Sequence, residues 1–182
     1  MDQAGIAAVL GRLDSEIFVL TAADGDRRNG QIVCWVVPAT IVPQVPRIIV
    51  GVGRLNYTRE LIEESRRFAL NLLGRDQWRW VPHFGFRSGR EVDKLASVPW
   101  ERGHTGSPLL PGVVGYLECA VRSVLDAGAH FFYVADVLEG RLVAGGEPLR
   151  LAQLPGVLAP DDLATMQQLL DRDIARDLAF LR

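Results

Sequence analysis

The residues best suited to chemistry lie where the apolar run at residues 47–52 gives way to a polar turn containing Arg54, Tyr57 and Thr58. An arginine that follows a glycine beside a predicted helix start combines a cation with free backbone N–H groups, and both favour a phosphate. Thr40, after the preceding apolar run, adds a hydroxyl to this candidate grip. Strand pairs commonly end in such corners, so the alternative stays open: Arg54 is an exposed charge, and the threonines cap local backbone.

Signatures of other enzyme classes are absent from the sequence. It contains no Gly-x-Ser-x-Gly, His-Glu-x-x-His or Gly-x-Gly-x-x-Gly stretch, which argues against familiar hydrolases and a dinucleotide-binding Rossmann domain. His83, His104 and His130 lack the clustered spacing of metal ligands, so we predict no metal site. The adjacent Asp93 and Lys94 are typical of a solvated surface pair rather than of an acid–base pair.

Apolar patterns define the strands that must carry these residues. Residues 31–37 and 47–52 are rich in Val and Ile and flank a proline bend, which predicts two buried strands. The same reasoning predicts strands at residues 16–22, 68–73, 114–125 and 131–138. Alternation predicts that Glu118 is exposed on its strand and that Asp136 faces solvent at a sheet edge. Gly145 to Pro148 are predicted to close a hairpin.

Helical spacing predicts three helices: a short one at residues 3–13 that docks on the body, one at 56–65, and a long amphipathic one from Asp161. Residues 77–89 hold an aromatic cluster that is either a cap over a barrel end or a wall beside a planar cofactor. The order of elements predicts a mainly β fold, a small closed antiparallel barrel with peripheral helices.

The bulk composition limits the partners of the chain. Its 182 residues suit one domain, and a net charge of -2 gives no electrostatic reason to expect nucleic acid. Cys34 and Cys119 lie far apart in apolar strand patterns, which predicts reduced core thiols in a cytoplasmic protein. No run approaches the roughly 18 apolar residues of a membrane span, and no signal peptide is visible.

Three stretches together resemble the flavin reductase-like FMN-binding split-barrel family. The first runs from Asn29-Gly30 through Trp35, Ala39-Thr40 and the proline bend to Tyr57-Thr58. The second is Gly85-Phe86-Arg87-Ser88-Gly89-Arg90-Glu91-Val92-Asp93-Lys94, and the third is Leu117-Glu118-Cys119 with the later Asp126-Ala127-Gly128-Ala129-His130. The resemblance covers residues 17–151 and implies a single domain over 1–182, with the split β-barrel at about 16–151 and a C-terminal helix at about 160–182. It also implies a homodimer with the flavin near the subunit boundary.

The resemblance also assigns roles to residues that match the family's motifs. It implies that Asn29, Cys34 and Trp35 contact the flavin ring or ribityl chain, and that Lys94 is a further flavin or phosphate contact. Matching pairs near the phosphate are Ala39-Thr40 and Tyr57-Thr58, beside Arg54. His130 corresponds to the histidine near bound nicotinamide and is the candidate catalytic residue. Purely structural alternatives stay open. In these, Trp35 is a core residue, Lys94 pairs with Asp93 or Glu91, and His130 is a buried histidine.

Two departures from the family pattern bear on activity. Ala129 replaces an aspartate that orients the histidine, and the bend at residues 42–47 is longer than usual. The resemblance implies an NAD(P)H-dependent flavin reductase that binds FMN, with FAD as the other possible flavin, and that passes electrons to an oxygenase or redox protein. The alternatives are a flavoredoxin-like electron-transfer protein and a non-catalytic flavin- or haem-related binding protein.

Overall fold

The computed structural model describes residues 2–181, which form nine strands and four α-helices. The strands are β1 (Phe18–Asp24), β2 (Arg27–Val33), β3 (Val36–Pro38), β4 (Arg47–Gly53), β5 (Arg67–Leu72), β6 (Glu101–Arg102), β7 (Pro108–Leu109), β8 (Gly115–Asp126) and β9 (His130–Leu142). The helices are α1 (Gln3–Leu10), α2 (Tyr57–Ser65), α3 (Trp80–Gly85) and α4 (Pro160–Asp177).

Seven strands form one antiparallel sheet in the order β2-β1-β5-β8-β9-β4-β3. Its two edge strands, β2 and β3, are consecutive in the chain and are separated only by Cys34 and Trp35. The sheet must therefore curl until its edges approach each other. The predicted barrel with peripheral helices is confirmed, but the chain rather than a hydrogen-bonded ladder joins the edges, at what we call the seam (Cys34 and Trp35). The strand predicted at residues 31–37 is accordingly two strands.

Apolar side chains fill two clusters on opposite faces of the sheet. In β1, Leu20 and Ala22 point into the barrel interior, whereas Val19 belongs to a second cluster beneath α3 and the C-terminal segments. A central strand that is buried on both faces requires apolar residues at successive positions, and β1 has them. Phe84 of α3 is fully buried against Gly30, so α3 covers the outer face of β2 rather than an end of the barrel, and the role of the aromatic stretch as a wall beside a cofactor stays a prediction.

Three predictions about the second half of the chain are wrong. Glu118 is 1% exposed, because the loop between β6 and β7 folds over it and donates from His104 N, Thr105 N and Thr105 Oγ1. Asp136 is partly exposed to solvent, as predicted, but its edge position is wrong, since β9 pairs with both β4 and β8; its carboxylate accepts from Arg47. No hairpin strand follows residue 145 among the described residues; Pro148 and Arg150 make only single bridges, to Gly74 and Glu16.

The two terminal helices lie on the outside of the barrel. The predicted docking of the first helix is wrong, because α1 has no buried residue and its apolar side chains point to solvent. The long C-terminal helix is confirmed as α4, with Leu163 and Met166 packed on the body and Leu170 and Ile174 exposed. Within residues 2–181 no helix combines the length and the apolar character that crossing a bilayer requires.

Candidate functional site

Three of the predicted ligand-binding residues, Asn29, Thr58 and Lys94, lie inside the protein and form what we call the buried polar cluster. Asn29 is only 3% exposed, and its Nδ2 donates to Thr58 Oγ1 over 2.7 Å, which ties β2 to the first turn of α2. Gly89 lies directly on the amide, since a Cβ there would overlap Asn29 Oδ1. Asn29 Nδ2 and Thr58 Oγ1 are thus bonded to each other within the protein.

Lys94 is the only lysine of the chain, and it is 5% exposed. Its Nζ donates to Gly30 O over 3.0 Å and to Phe84 O over 2.7 Å, so it joins β2 to α3. These bonds differ from the surface pairing with Asp93 that sequence favours, because Asp93 lies beside Arg28 instead. Burial lowers the pKa of the Lys94 amine to about 8, since desolvation disfavours the charged form.

An arginine-rich cleft of about 330 Å³ opens beside the buried polar cluster. Its lining includes Tyr57 and Gly89 of the matched motifs together with Arg27, Arg28 and Arg90. Arg27 pairs with Asp24, and Arg90 pairs with Glu60 while its guanidinium lies 5.4 Å from the Tyr57 ring. The cleft is also lined by Asp26, Glu91 and Asp93, so three arginines and three acids lie together next to the start of α2.

Trp35, His130 and Phe132 lie together at the surface and form what we call the aromatic ledge. The Trp35 and Phe132 rings are nearly parallel, with 6.0 Å between centroids, and the His130 ring is 4.6 Å from Trp35 at a tilt of 51°. Gly51 of β4 lies beneath them, where a Cβ would come within 2.9 Å of Trp35 and 3.0 Å of Phe132. Because Gly51 has no side chain, Trp35 lies across β4 with 50% of its surface exposed.

β3 is an edge strand, so one side of its backbone is not hydrogen-bonded to another strand of the sheet. Trp35 O accepts from Gly51 N over 2.9 Å, and Ala39 N donates to Arg47 O over 2.8 Å, so the odd-numbered residues bond towards β4. In an antiparallel ladder the alternate residues point their backbone groups the opposite way. Val36 therefore directs its N–H and C=O towards the seam, where they are available to a ligand.

His130 begins β9 opposite Gly53 of β4 and is half-buried. Burial is the main reason that the pKa of its imidazole is lowered from the ordinary value, so the ring is neutral at physiological pH. Asp173 and Asp177 near the end of α4 act in the opposite direction, and Arg176 adds to the lowering. A neutral imidazole beside an indole is suited to orienting a flat ring.

The remaining predicted residues lie around the seam and the end of β4. The Arg54 guanidinium donates to Asp126 and to Gly128 O, so two of its donor groups are bonded within the protein. Thr40 Oγ1 accepts from Val42 N over 3.0 Å, which is the local capping alternative, and Ala39 is exposed beside it. Cys34 is a free, half-buried thiol whose pKa is raised by burial. The phosphate role of Thr40 and Arg54 stays a prediction.

Sequence reasoning missed Phe132, Gly51 and the arginines of the cleft. Phe132 and Gly51 meet because β4 and β9 pair in one particular register, and no short pattern specifies that pairing. The signal for the cleft was present as Arg27-Arg28 beside a turn, which solvated charges also explain. The ledge could be found only once the strands were paired.

Comparison with known proteins places this geometry in context. Residues 10–154 match the family described as flavin reductase like domain. The chain is 33% identical over 138 residues to a high molecular weight rubredoxin of Moorella thermoacetica, covering 75% of the chain. It spans 59% of that protein's length, and about a quarter of the length of several diflavin flavoproteins.

The solved structures that share the fold include two proteins at more than a quarter sequence identity. An FMN-binding protein from Thermus thermophilus is 27% identical with a TM-score of 0.67, and the match covers 72% of this chain and 73% of that one. Nitrilotriacetate monooxygenase component B from Mycobacterium thermoresistibile is 26% identical with a TM-score of 0.71, covering 82% of both chains.

Proposed function

Because the chain belongs to the flavin reductase like domain family, we propose that it binds FMN at the aromatic ledge and is a flavin reductase that takes hydride from NADH or NADPH. The observation that carries the proposal is the exposed pair of Trp35 and Phe132 rings beside the unpaired backbone of Val36. FAD is the alternative flavin. Similarity to an FMN-binding protein at 27% identity supports FMN.

The residues present fit a flavin. An isoalloxazine is a flat, largely apolar ring with hydrogen-bonding groups along one edge, so it requires a flat apolar surface next to backbone donors and acceptors. The aromatic ledge offers the surface, and Val36 offers an N–H and a C=O at the seam. Cys34 and Trp35 are the residues expected to contact the ring.

The residues suited to the phosphate of the ligand lie in the segment at residues 53–58, at the start of α2. The start of α2 supplies free N–H groups, and Asn56 makes no side-chain cap bond with them. Tyr57 and the arginine-rich cleft adjoin that helix start. Asn29, Thr58 and Lys94 join β2 to α2 and α3, and Ala39 and Thr40 stay proposed phosphate-side residues in the segment after β3.

When bound, the flavin supplies the hydride and electron chemistry, and the protein orients the reactants and excludes water. His130 is expected to contact the nicotinamide and hold it parallel to the ledge. Because the pKa of its imidazole is lowered, we expect the ring to position the nicotinamide rather than to transfer a proton. His130→Asn should slow hydride transfer by roughly tenfold, about 1.4 kcal/mol of barrier. FMN affinity should change less. Ala129 leaves His130 without the family's orienting carboxylate.

Anaerobic reduction tests the proposal. Apo-protein titrated with FMN should quench flavin fluorescence with saturation well below about a millimolar, the concentration that corresponds to a free energy near -4 kcal/mol. NADH or NADPH should then bleach the flavin band at about 450 nm faster than buffer does. Saturable FMN binding without bleaching would leave the electron-transfer alternative, which the similarity to a rubredoxin favours. Absence of binding would refute both.

We also propose a homodimer that delivers reduced flavin to an oxygenase or another redox protein. Apolar side chains are exposed on the bend, where Ile41 is 99% exposed, and on the outer stripes of α1 and α4. Exposed apolar side chains of this number are typical of a protein that associates with another chain. Similarity to a monooxygenase component supports the oxygenase acceptor. Sedimentation equilibrium tests the dimer, since a 20.1 kDa species at all practical concentrations would exclude it.

A further inference from the structure

Arg54 holds the turn that precedes His130. Its backbone N–H donates to Ala129 O over 2.8 Å, while Nε donates to Gly128 O and Nη2 to Asp126 Oδ1. The same Asp126 oxygen accepts from Gly128 N over 2.9 Å, and the hydrogen bond from Arg54 is the main reason that the pKa of Asp126 is lowered. The turn at residues 126–129 is therefore fixed from the side of β4.

The C-terminal turn, Leu178–Phe180, reaches the same arginine from the opposite direction. The Arg54 guanidinium carbon lies 4.5 Å from the Phe131 ring and 5.4 Å from the Phe180 ring. Gly128 has a φ of +82°, and a Cβ there would come within 2.5 Å of Phe180 O. Only glycine suits both that conformation and that close approach. The turn and the C-terminus are thus packed backbone against backbone.

The C-terminal turn and α4 lie beyond residues 10–154, the part of the chain that matches the family. The end of α4 nevertheless lies near enough to His130 for Asp173, Arg176 and Asp177 to act on its pKa. An element outside the matched domain therefore places charged side chains near the residue proposed to contact nicotinamide.

We propose that Arg54 and the C-terminal turn clamp residues 126–129 and thereby position His130 against Trp35. Arg54 is then a positioning residue rather than a phosphate ligand, because its Nε and Nη2 donate to the turn. The catalytic consequence rests on the proposed function, whereas the orientation of His130 is a property of the protein without any ligand. The two parts are therefore tested separately.

The orientation is measured by NMR on the protein without flavin. The carbon-bound imidazole protons of His130 lie beside the Trp35 ring, 4.6 Å between centroids, and experience its ring current. The chain has three histidines, so His130→Asn assigns the signal. Phe180→Ala, which removes a partly exposed side chain, should move the His130 signals by at least half of the way to those of a solvated histidine. Arg54→Lys should do the same, because lysine keeps the charge but not the planar fork.

Gln167→Ala is the matched control on α4, since Gln167 is exposed and bonds only to Asp171. It should leave the His130 signals in place. Unchanged signals in both Phe180→Ala and Arg54→Lys would overturn the clamp, whatever the protein's activity proves to be. An equal shift in Gln167→Ala would also overturn it, because the effect would then belong to α4 in general.

Stopped-flow reduction by NADH tests the consequence. Phe180→Ala and Arg54→Lys should slow flavin reduction by about three- to tenfold, in the range expected for misplaced positioning groups, while the FMN dissociation constant changes less than twofold. Arg54→Lys should weaken FMN and riboflavin equally. A loss confined to FMN would show instead that Arg54 binds phosphate. Shifted His130 signals in the variants of a protein whose wild type is reduced by neither NADH nor NADPH would refute the proposed function and leave the clamp standing.

Discussion

The buried polar cluster and the aromatic ledge each take one residue from residues 29–35, Asn29 and Trp35, but the two residues lie in opposite environments. Asn29 is 3% exposed and Trp35 is 50% exposed. The polar atoms of the cluster are bonded to protein, Asn29 to Thr58 and Lys94 to two backbone carbonyls. On the ledge, half of the surface of Trp35 is not covered by protein. A polar residue in a binding motif can thus join secondary-structure elements, while an apolar residue of the same motif provides the surface that contacts the ligand.

This difference predicts that changes in the cluster affect the free energy of unfolding first, and that changes on the ledge affect flavin affinity first. The largest effect should come from Lys94. Its folded pKa of about 8 lies below the ordinary 10.5, so between these values the unfolded chain binds a proton that the folded chain has released. Stability should therefore rise with pH in this window, by about 3 kcal/mol at 1.36 kcal/mol per unit.

Lys94→Met is the matched control, because it removes the titrating amine and keeps an unbranched side chain. The free energy of urea unfolding, measured from pH 7.5 to 10.5, should gain the increment only in the wild type. Cys119 acts in the opposite direction above pH 9, since burial raises the pKa of its thiol to about 12. It is present in both proteins, so the difference between them isolates Lys94. A pH-independent difference would mean that Lys94 is solvated.

Thr58 tests whether the cluster is structural or binds the ligand directly. Thr58→Val removes the acceptor of Asn29 Nδ2 and leaves a buried amide without a partner, which should cost about 2 kcal/mol of stability. Thr58→Ser keeps the hydroxyl and should lose less than half as much. Chemical denaturation measures both. If Thr58→Val instead left stability unchanged and weakened FMN more than riboflavin, Thr58 would be a phosphate contact and the division between the two regions would fail.

On the ledge, Trp35→Leu should weaken FMN by about tenfold, or 1.4 kcal/mol, because it removes the flat ring. Stability should change by less than about 0.5 kcal/mol, as is usual for half-exposed positions. Trp35→Phe retains a flat ring and should recover most of the affinity. Fluorescence titration and urea unfolding give the two values. Loss of stability without loss of affinity would identify Trp35 as a core residue.

Gly51→Ala should produce the smallest effect, about threefold in FMN affinity, by pushing the Trp35 and Phe132 rings off the sheet. Gly145→Ala is the control, because nothing lies within 4 Å of a Cβ at that position. The Trp35 ring current on His130 should fall in Gly51→Ala alone. Equal behaviour of the two variants would show that the glycine under the ledge has no role in arranging it.

Local patterns allowed most of the fold to be predicted, because strands and helices leave periodic apolar residues. The β4 strand, α2 and α4 begin and end close to the predicted positions. Glu118 could not be predicted, since its burial depends on a distant loop that brings three donors to it. The exposure of α1 could not be predicted either, because helical spacing of apolar residues does not show whether another segment covers them.

The site was harder to predict than the fold, because motif residues reveal chemistry but not partners. The sequence around Arg54 indicates a free cation, and only the fold brings its partners Asp126 and Gly128 to it. In the sequence, Phe132 cannot be distinguished from other apolar strand residues. Only the register between β4 and β9 brings it beside Trp35. Contacts between residues far apart in the chain decided both cases.

The burial of Lys94 has a practical consequence for measuring how the protein opens. Because it is the only side-chain amine, covalent labelling by an amine-selective reagent can occur on a side chain only when the Asn29–Lys94 region opens. The slowing of modification relative to a free lysine then gives the free energy of that opening event directly. A single mass increment would report the motion of one region, without any spectroscopic probe being introduced.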